Sequence, residues 1–283
     1  MNIKYSTANP ALDVIERHPK TATRRPILFI HGANMSAWCW DEYFMPFFSD
    51  LGHPTYAVNL RGHGKSEGSA MLASNSIADY VNDLQRVIDE IGEPPILIGH
   101  SLGGLIIQKF IEKKTVPACI LMATVPVDGL IPSIVDLALN PTFYMQMNLS
   151  ELVGTWFSPV DVTRKSVFSG HVSDDVVIRY CAEMQQGSPK ALLDTLWLGL
   201  PTYKNPFDIP MLALSADEDT FFRPAHIRKT AIAYKADYIN MKKTGHTMMI
   251  DVHWRESAEA INHWLEEKNL SSPLTNLNNN KAN

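Results

Sequence analysis

Residues 96–104 read ILIGHSLGG, and a second apolar run, LIIQKFI, follows directly at 105–111. A G-x-S-x-G segment between a buried strand and a helix can hold its serine on a sharp turn with the hydroxyl above the sheet. Glycines flank such a serine because side chains there would collide with the neighbouring strand and helix. The alternative for Ser101 is a plain Gly-rich helix start. A serine hydroxyl is a poor nucleophile near neutral pH, so this chemistry also requires a base within hydrogen-bond reach, usually a histidine oriented by a carboxylate.

Ten histidines are available. His246, in TGHTMMID, stands on a loop between the last strand-like segment and the last helical pattern. His31 and His100 close their own apolar runs, where a histidine satisfies backbone groups, and His63 lies in the turn RGHG. For the carboxylate, the loop after ALS offers Asp217, Glu218 and Asp219. Asp219 is preferred because it precedes TFFRP, where the chain turns toward the next helix; Asp217 is the second choice. Acyl transfer also needs donors for an oxyanion. The backbone N–H of Leu102 follows from the serine turn itself, and that of Ala33, in HGAN at 31–34, is the second candidate, with an ordinary turn as its alternative. This chemistry calls for no metal and no organic cofactor. Trp38, Trp40, Phe44, Phe47 and Phe48 suit either an apolar acyl pocket or the core, and Met248 and Met249 beside His246 are equally ambiguous.

Positioning these residues requires a sheet. Short apolar runs bounded by turn residues occur at 26–32, 55–60, 94–100, 117–124 and 209–217, with a weaker one at 236–241. They read as strands covered on both faces. Helical spacing recurs from Ile77 to Ile91 and from Trp254 to Leu265. Strands alternating with helices predict an α/β fold, a mostly parallel central sheet with helices on both faces. From 126 to 205 the rhythm breaks into helix-like pieces rich in Met, Trp and Phe, including IPSIVDLALN, ELVGTWFSP and SPKALLDTLWLGL. The predicted organisation is a core over 1–125 and 206–268, a helical cap inserted at 126–205, and a disordered polar tail over 269–283.

The motifs HGAN (31–34), RGHGKSEG (61–68), GHSLGG (99–104), SADEDTFFRP (215–224) and GHTMMID (245–251) together resemble the α/β-hydrolase fold family, in its lysophospholipase and monoglyceride-lipase-like branch. The order serine, acid, histidine agrees with that fold. The resemblance covers 25–125 and 206–266, and the interval between is similar only in being a helical cap. It implies a carboxylic ester hydrolase with an apolar acyl group as substrate, acting through Ser101, His246 and Asp219 and an acyl-enzyme intermediate. HGANMSAWCWD is also similar to the plant methylesterase and hydroxynitrile-lyase group. The lyases carry a lysine directly after the histidine, and Thr247 stands there instead, which ranks that reading below hydrolysis. Dehalogenases and most epoxide hydrolases of the fold use aspartate at the position of Ser101. Other readings are a ligand sensor on the same fold with negligible turnover, and triad-dependent thioester or carbon–carbon bond hydrolysis.

Composition narrows the partners. With 283 residues, a net charge of −5 and no Lys/Arg run, the chain offers no footprint for nucleic acid or an anionic membrane, which leaves a small or neutral ligand, and the resemblance implies that this partner is a small-molecule ester. No segment supplies the about 18 uncharged apolar residues of a membrane span, so no stable membrane insertion is expected. Cys39, Cys119 and Cys181 are widely spaced and odd in number, and read as reduced thiols of a cytoplasmic protein.

Overall fold

Where turn residues close the apolar runs, strands form. They are β1 Val14–Arg17, β2 Ile27–Ile30, β3 Thr55–Val58, β4 Ile96–His100, β5 Cys119–Met122, β6 Met211–Ala216 and β7 Asp237–Met241. The structure is a computed structural model and describes residues 10–138, 166–202 and 204–272. Every residue of β2, β4, β5 and β6 is buried, as expected of continuous apolar strands covered on both faces.

The seven strands form one sheet in the order β1-β3-β2-β4-β5-β6-β7. All neighbours are parallel except β1, which runs antiparallel to β3. This edge strand, VIER, escaped the sequence reading because it is four residues long and half polar. Alternation along each strand divides the core in two. Ile27 and Phe29 face one layer with Trp40, Phe44 and Phe48, whereas Leu28 and Ile30 face the other with Tyr80, Leu105 and Ile106.

The helices α1 Trp38–Asp41, α2 Phe44–Asp50, α3 Ile77–Ile91 and α4 Leu102–Phe110 follow β2, β3 and β4 in the chain. Ser76 opens α3 with a reciprocal capping box to Asp79, and Gly92, at φ 75°, ends it, so the helix coincides with the predicted periodic stretch. The described part of the interval 126–205 contains α5 Ile131–Ala138, α6 Asp174–Glu183 and α7 Pro189–Asp194, and no strand. The ELVGTWFSP piece at 151–159 lies outside the described residues, as does the polar tail from residue 273 onward. Two more core helices, α8 Pro224–Tyr234 and α9 Trp254–Glu267, flank β7 in sequence. No helix among the described residues is long and apolar enough to cross a membrane.

Candidate active site

The loops after β2, β4, β6 and β7 all leave the sheet at the C-terminal ends of parallel strands, the end at which open α/β sheets bind ligands. Ser101 stands between β4 and α4 with φ 51° and ψ −115°, a strained conformation for a residue with a side chain. The backbone on both sides of the turn is tied to the end of β5 and beyond: Ser101 N–H donates to Met122 O at 3.0 Å, and Val125 N–H donates to Ser101 O at 3.1 Å. The glycines are required by space. A Cβ on Gly103 would stand 2.3 Å from Ile30 O, and one on Gly99 would stand 2.6 Å from Gly103 O. The serine is therefore held on a sharp strand-to-helix turn and not on a plain helix start.

The 31–34 loop lies against this turn. A Cβ on Gly32 would stand 3.0 Å from Ser101 Cβ and 2.9 Å from His100 Nδ1. Leu60 N–H donates to His31 Nε2 at 3.1 Å, so the ring proton sits on Nδ1 and donates to Gly32 O at 2.8 Å. Burial, followed by the neighbouring His63, pushes the His31 imidazole down to about 3, which keeps it neutral in this role. In a trans peptide the carbonyl and the next N–H point in opposite directions. Holding Gly32 O therefore also fixes the direction of the Ala33 N–H. The Leu102 N–H lies in the first turn of α4, where helix donors lack an intrahelical acceptor.

On the other side of the sheet centre, His246 Nδ1 donates to Asp219 Oδ2 at 2.8 Å, with the Asp219 side chain fully buried and that of His246 8% exposed. Asp219 Oδ1 accepts from the N–H groups of Phe221 and Phe222 at 2.8 and 3.0 Å, so the turn that singled out this residue in the sequence also fixes its carboxylate. With its proton on Nδ1, the ring keeps an unprotonated Nε2. The two other acids of the loop point elsewhere: Asp217 lies 3.6 Å from Lys242, and Glu218 accepts from Gly170 N–H at 2.9 Å. The rings of Phe221 and Phe222 stand edge-on to His246 with centroids at 5.1 and 5.4 Å.

Other ambiguities resolve toward the core. Trp40, Phe44 and Phe48 pack on Phe29, Phe47 lies against Trp254, and Trp38 stacks on Tyr180, so the aromatic run after the 31–34 loop builds the scaffold. Met248 and Met249 are fully buried in the same layer. Cys39 and Cys119 are buried free thiols, and Cys181 is half-buried. Longer-range contacts also reach the loops of the site. Asn34 O and Oδ1 accept from Gln185 N–H and Gly187 N–H at 3.0 and 2.9 Å, tying the loop to the chain that follows α6. His100 Nε2 donates to His246 O at 3.0 Å. No spacing in the sequence announces such long-range partners.

Residues 27–260 match the alpha/beta hydrolase family. The chain belongs to that family. Among curated proteins it is 34% identical over 91 residues to methyl jasmonate esterase 1 of Vitis vinifera, covering 31% of this chain and 34% of that protein. It is 29% identical over 142 residues to methylesterase 1 of Arabidopsis thaliana, covering 48% and 52%. The chain thus spans about a third to a half of the length of these curated relatives. Among solved structures, the monoacylglycerol lipase of Paleococcus ferrophilus superposes with a TM-score of 0.67 at 20% identity, over 90% of this chain and 98% of that one. That likeness carries the fold.

Proposed function

We propose that the protein is a serine hydrolase of carboxylic esters. Ser101 attacks the ester carbonyl while His246 Nε2 takes its proton; Asp219 holds the ring in the tautomer with Nδ1–H and stabilises its cationic form. The N–H groups of Leu102 and Ala33 receive the oxyanion, and water, activated by the same base, releases the acyl group. The observation that carries this reading is the buried 2.8 Å contact between His246 Nδ1 and Asp219, on loops that leave the sheet at the same end as the strained Ser101, with the neighbouring His100 bonded to His246 O. Esterases among the curated relatives support it.

The surroundings support the substrate class. The half-buried Phe221 sets an apolar ring beside His246, backed by the buried Phe222, and the proposed cap over 126–205 is rich in large apolar residues. A small-molecule ester with an apolar acyl group fits, since ligand pockets are mostly apolar with few polar groups. The test is turnover of p-nitrophenyl esters by the wild type and by Ser101→Ala, below saturation. Activity should depend on Ser101, and kcat/KM should fall about two- to fourfold for each methylene removed, a partial capture of about 0.8 kcal/mol per buried CH₂. Undiminished turnover by Ser101→Ala rejects the mechanism, and a profile that rises toward acetate rejects the apolar acyl group.

A further inference from the structure

Asp251 ends the motif GHTMMID and has no part in the chemistry above, yet it is 1% exposed and carries a carboxylate. No cation pairs with it among the described residues. Four donors surround it instead. Its Oδ2 accepts from Gly245 N–H at 3.2 Å and Ser169 N–H at 2.8 Å, and its Oδ1 accepts from Ser169 Oγ at 2.9 Å and, at a longer 3.4 Å, from His253 N–H. Gly245 is the residue before His246. Ser169 belongs to the short stretch 166–170 that leads into α6. That stretch also meets the neighbouring loops: Val167 O accepts from both Thr247 N–H and Thr247 Oγ1, at 2.9 and 2.7 Å, and Ser166 O accepts from Thr220 Oγ1 at 3.0 Å. It runs so close that a Cβ on Gly245 would stand 2.3 Å from the carbonyl carbon of Phe168.

We infer that Asp251 is a positioning residue for His246, clamping the peptide before it to the 166–170 strap. The peptide after His246 is held from the other side, where its carbonyl accepts from His100 Nε2. With the ring bound to Asp219, the base is thus fixed at its side chain and on both flanks of its backbone. A carboxylate suits this place and an amide does not. Two oxygens can accept from four donors, whereas Asn offers one oxygen and turns an NH₂ group toward N–H groups. The strap lies inside the proposed cap, so the same carboxylate couples the cap to the base. This inference rests on the serine-hydrolase reading, because it acts through His246.

The test is a double-mutant cycle of Asp251→Asn with Asp219→Asn, reading kcat and KM for a p-nitrophenyl ester. A small displacement of a reacting group costs about 10²-fold in rate, so Asp251→Asn should lower kcat by about that factor with KM within about threefold of wild type. In the Asp219→Asn background, where the ring is already released, the further loss should shrink to less than about tenfold. The proton resonance of His246 Nδ1–H in the bond to Asp219 should shift or broaden in Asp251→Asn. If that variant does not fold, Ser169→Ala removes one donor, and the loss expected is about two- to tenfold, again non-additive with Asp219→Asn. Penalties that multiply, or a kcat within twofold of wild type in the folded variant, overturn the inference. Turnover that survives Ser101→Ala would instead overturn the hydrolase reading itself, so the two failures are distinguishable.

Discussion

On the serine side of the site, Ser101 is held by backbone bonds and by the absence of side chains at Gly32, Gly99 and Gly103, and the 31–34 loop by the His31 ring and Asn34. On the base side, Asp219, His246 and Asp251 are held by side-chain carboxylates, and the loops that carry them are laced to the 166–170 strap. The serine turn has little freedom to adjust, since side chains at Gly99 or Gly103 would meet backbone atoms. The base side can lose one bond and keep its fold. Substitutions on the serine side should therefore disturb stability and activity together, while those on the base side should separate the two.

The largest effect is expected on the base side. Asp219→Asn should lower kcat by about 10⁴-fold, because the amide no longer fixes the useful tautomer of His246. Asp217→Asn, which loses only an exposed contact with Lys242, should stay within about threefold of wild type. Steady-state kinetics of the two variants decide this, and the reverse ranking would transfer the role to Asp217. Gly103→Ala comes next, on the serine side. Its methyl would meet Ile30 O at 2.3 Å, so the denaturation midpoint should drop by the equivalent of at least about 2 kcal/mol, with activity falling alongside. A stable Gly103→Ala protein would break the contrast between the two sides.

A smaller effect tests how firmly the chain after α6 sets the 31–34 loop. Asn34 has φ 61°, a conformation that glycine adopts without strain, so Asn34→Gly removes the acceptor for Gly187 N–H and little else. Turnover should fall about two- to fivefold, and Asn34→Asp, which keeps the acceptor, should restore most of it.

The parallel sheet was legible because β2, β4, β5 and β6 are continuous apolar runs ending in turn residues, and the sharp turn at Ser101 was legible because it needs glycines at fixed offsets. Asp219 could be ranked above Asp217 from local sequence, since the turn it precedes supplies two of its three hydrogen bonds. The partners of Asp251, His100 and Gln185 were not legible, although the use of His100 to satisfy a backbone group was. Each contact joins residues 82 or more positions apart, or reads a backbone group that carries no side-chain signature, as in the bonds to Ser169, His246 and Gly62. The aromatic run at 38–48 was ambiguous for another reason: core and pocket demand the same residue types, and only packing against Phe29 and Trp254 separates them.

The smallest predicted effect on turnover is that of a histidine that governs acid stability. Burial pushes His53 down to about 4 from its ordinary 6.5, and its Nδ1–H is held by Arg25 O. The unfolded chain takes up this proton near pH 6.5 and the folded one only near pH 4, so between these values the unfolded state binds more protons and stability falls as pH falls. The slope is at most about 1.4 kcal/mol per pH unit for each such histidine. His53→Gln should flatten this limb in denaturation experiments between those pH values and leave turnover unchanged, as His53 is remote from both sides of the site.

The central claim is that one serine, set by the β4 turn, forms a covalent bond with the acyl group. Mixing the protein with a p-nitrophenyl ester, quenching in acid within the first turnover and mapping the adduct by peptide mass spectrometry tests this directly. The acyl mass should appear on the peptide containing Ser101, be absent from Ser101→Ala, and persist in Ser66→Ala, whose hydroxyl donates to Asn59 O in the core. An adduct on any other residue, or full turnover without Ser101, would contradict the account.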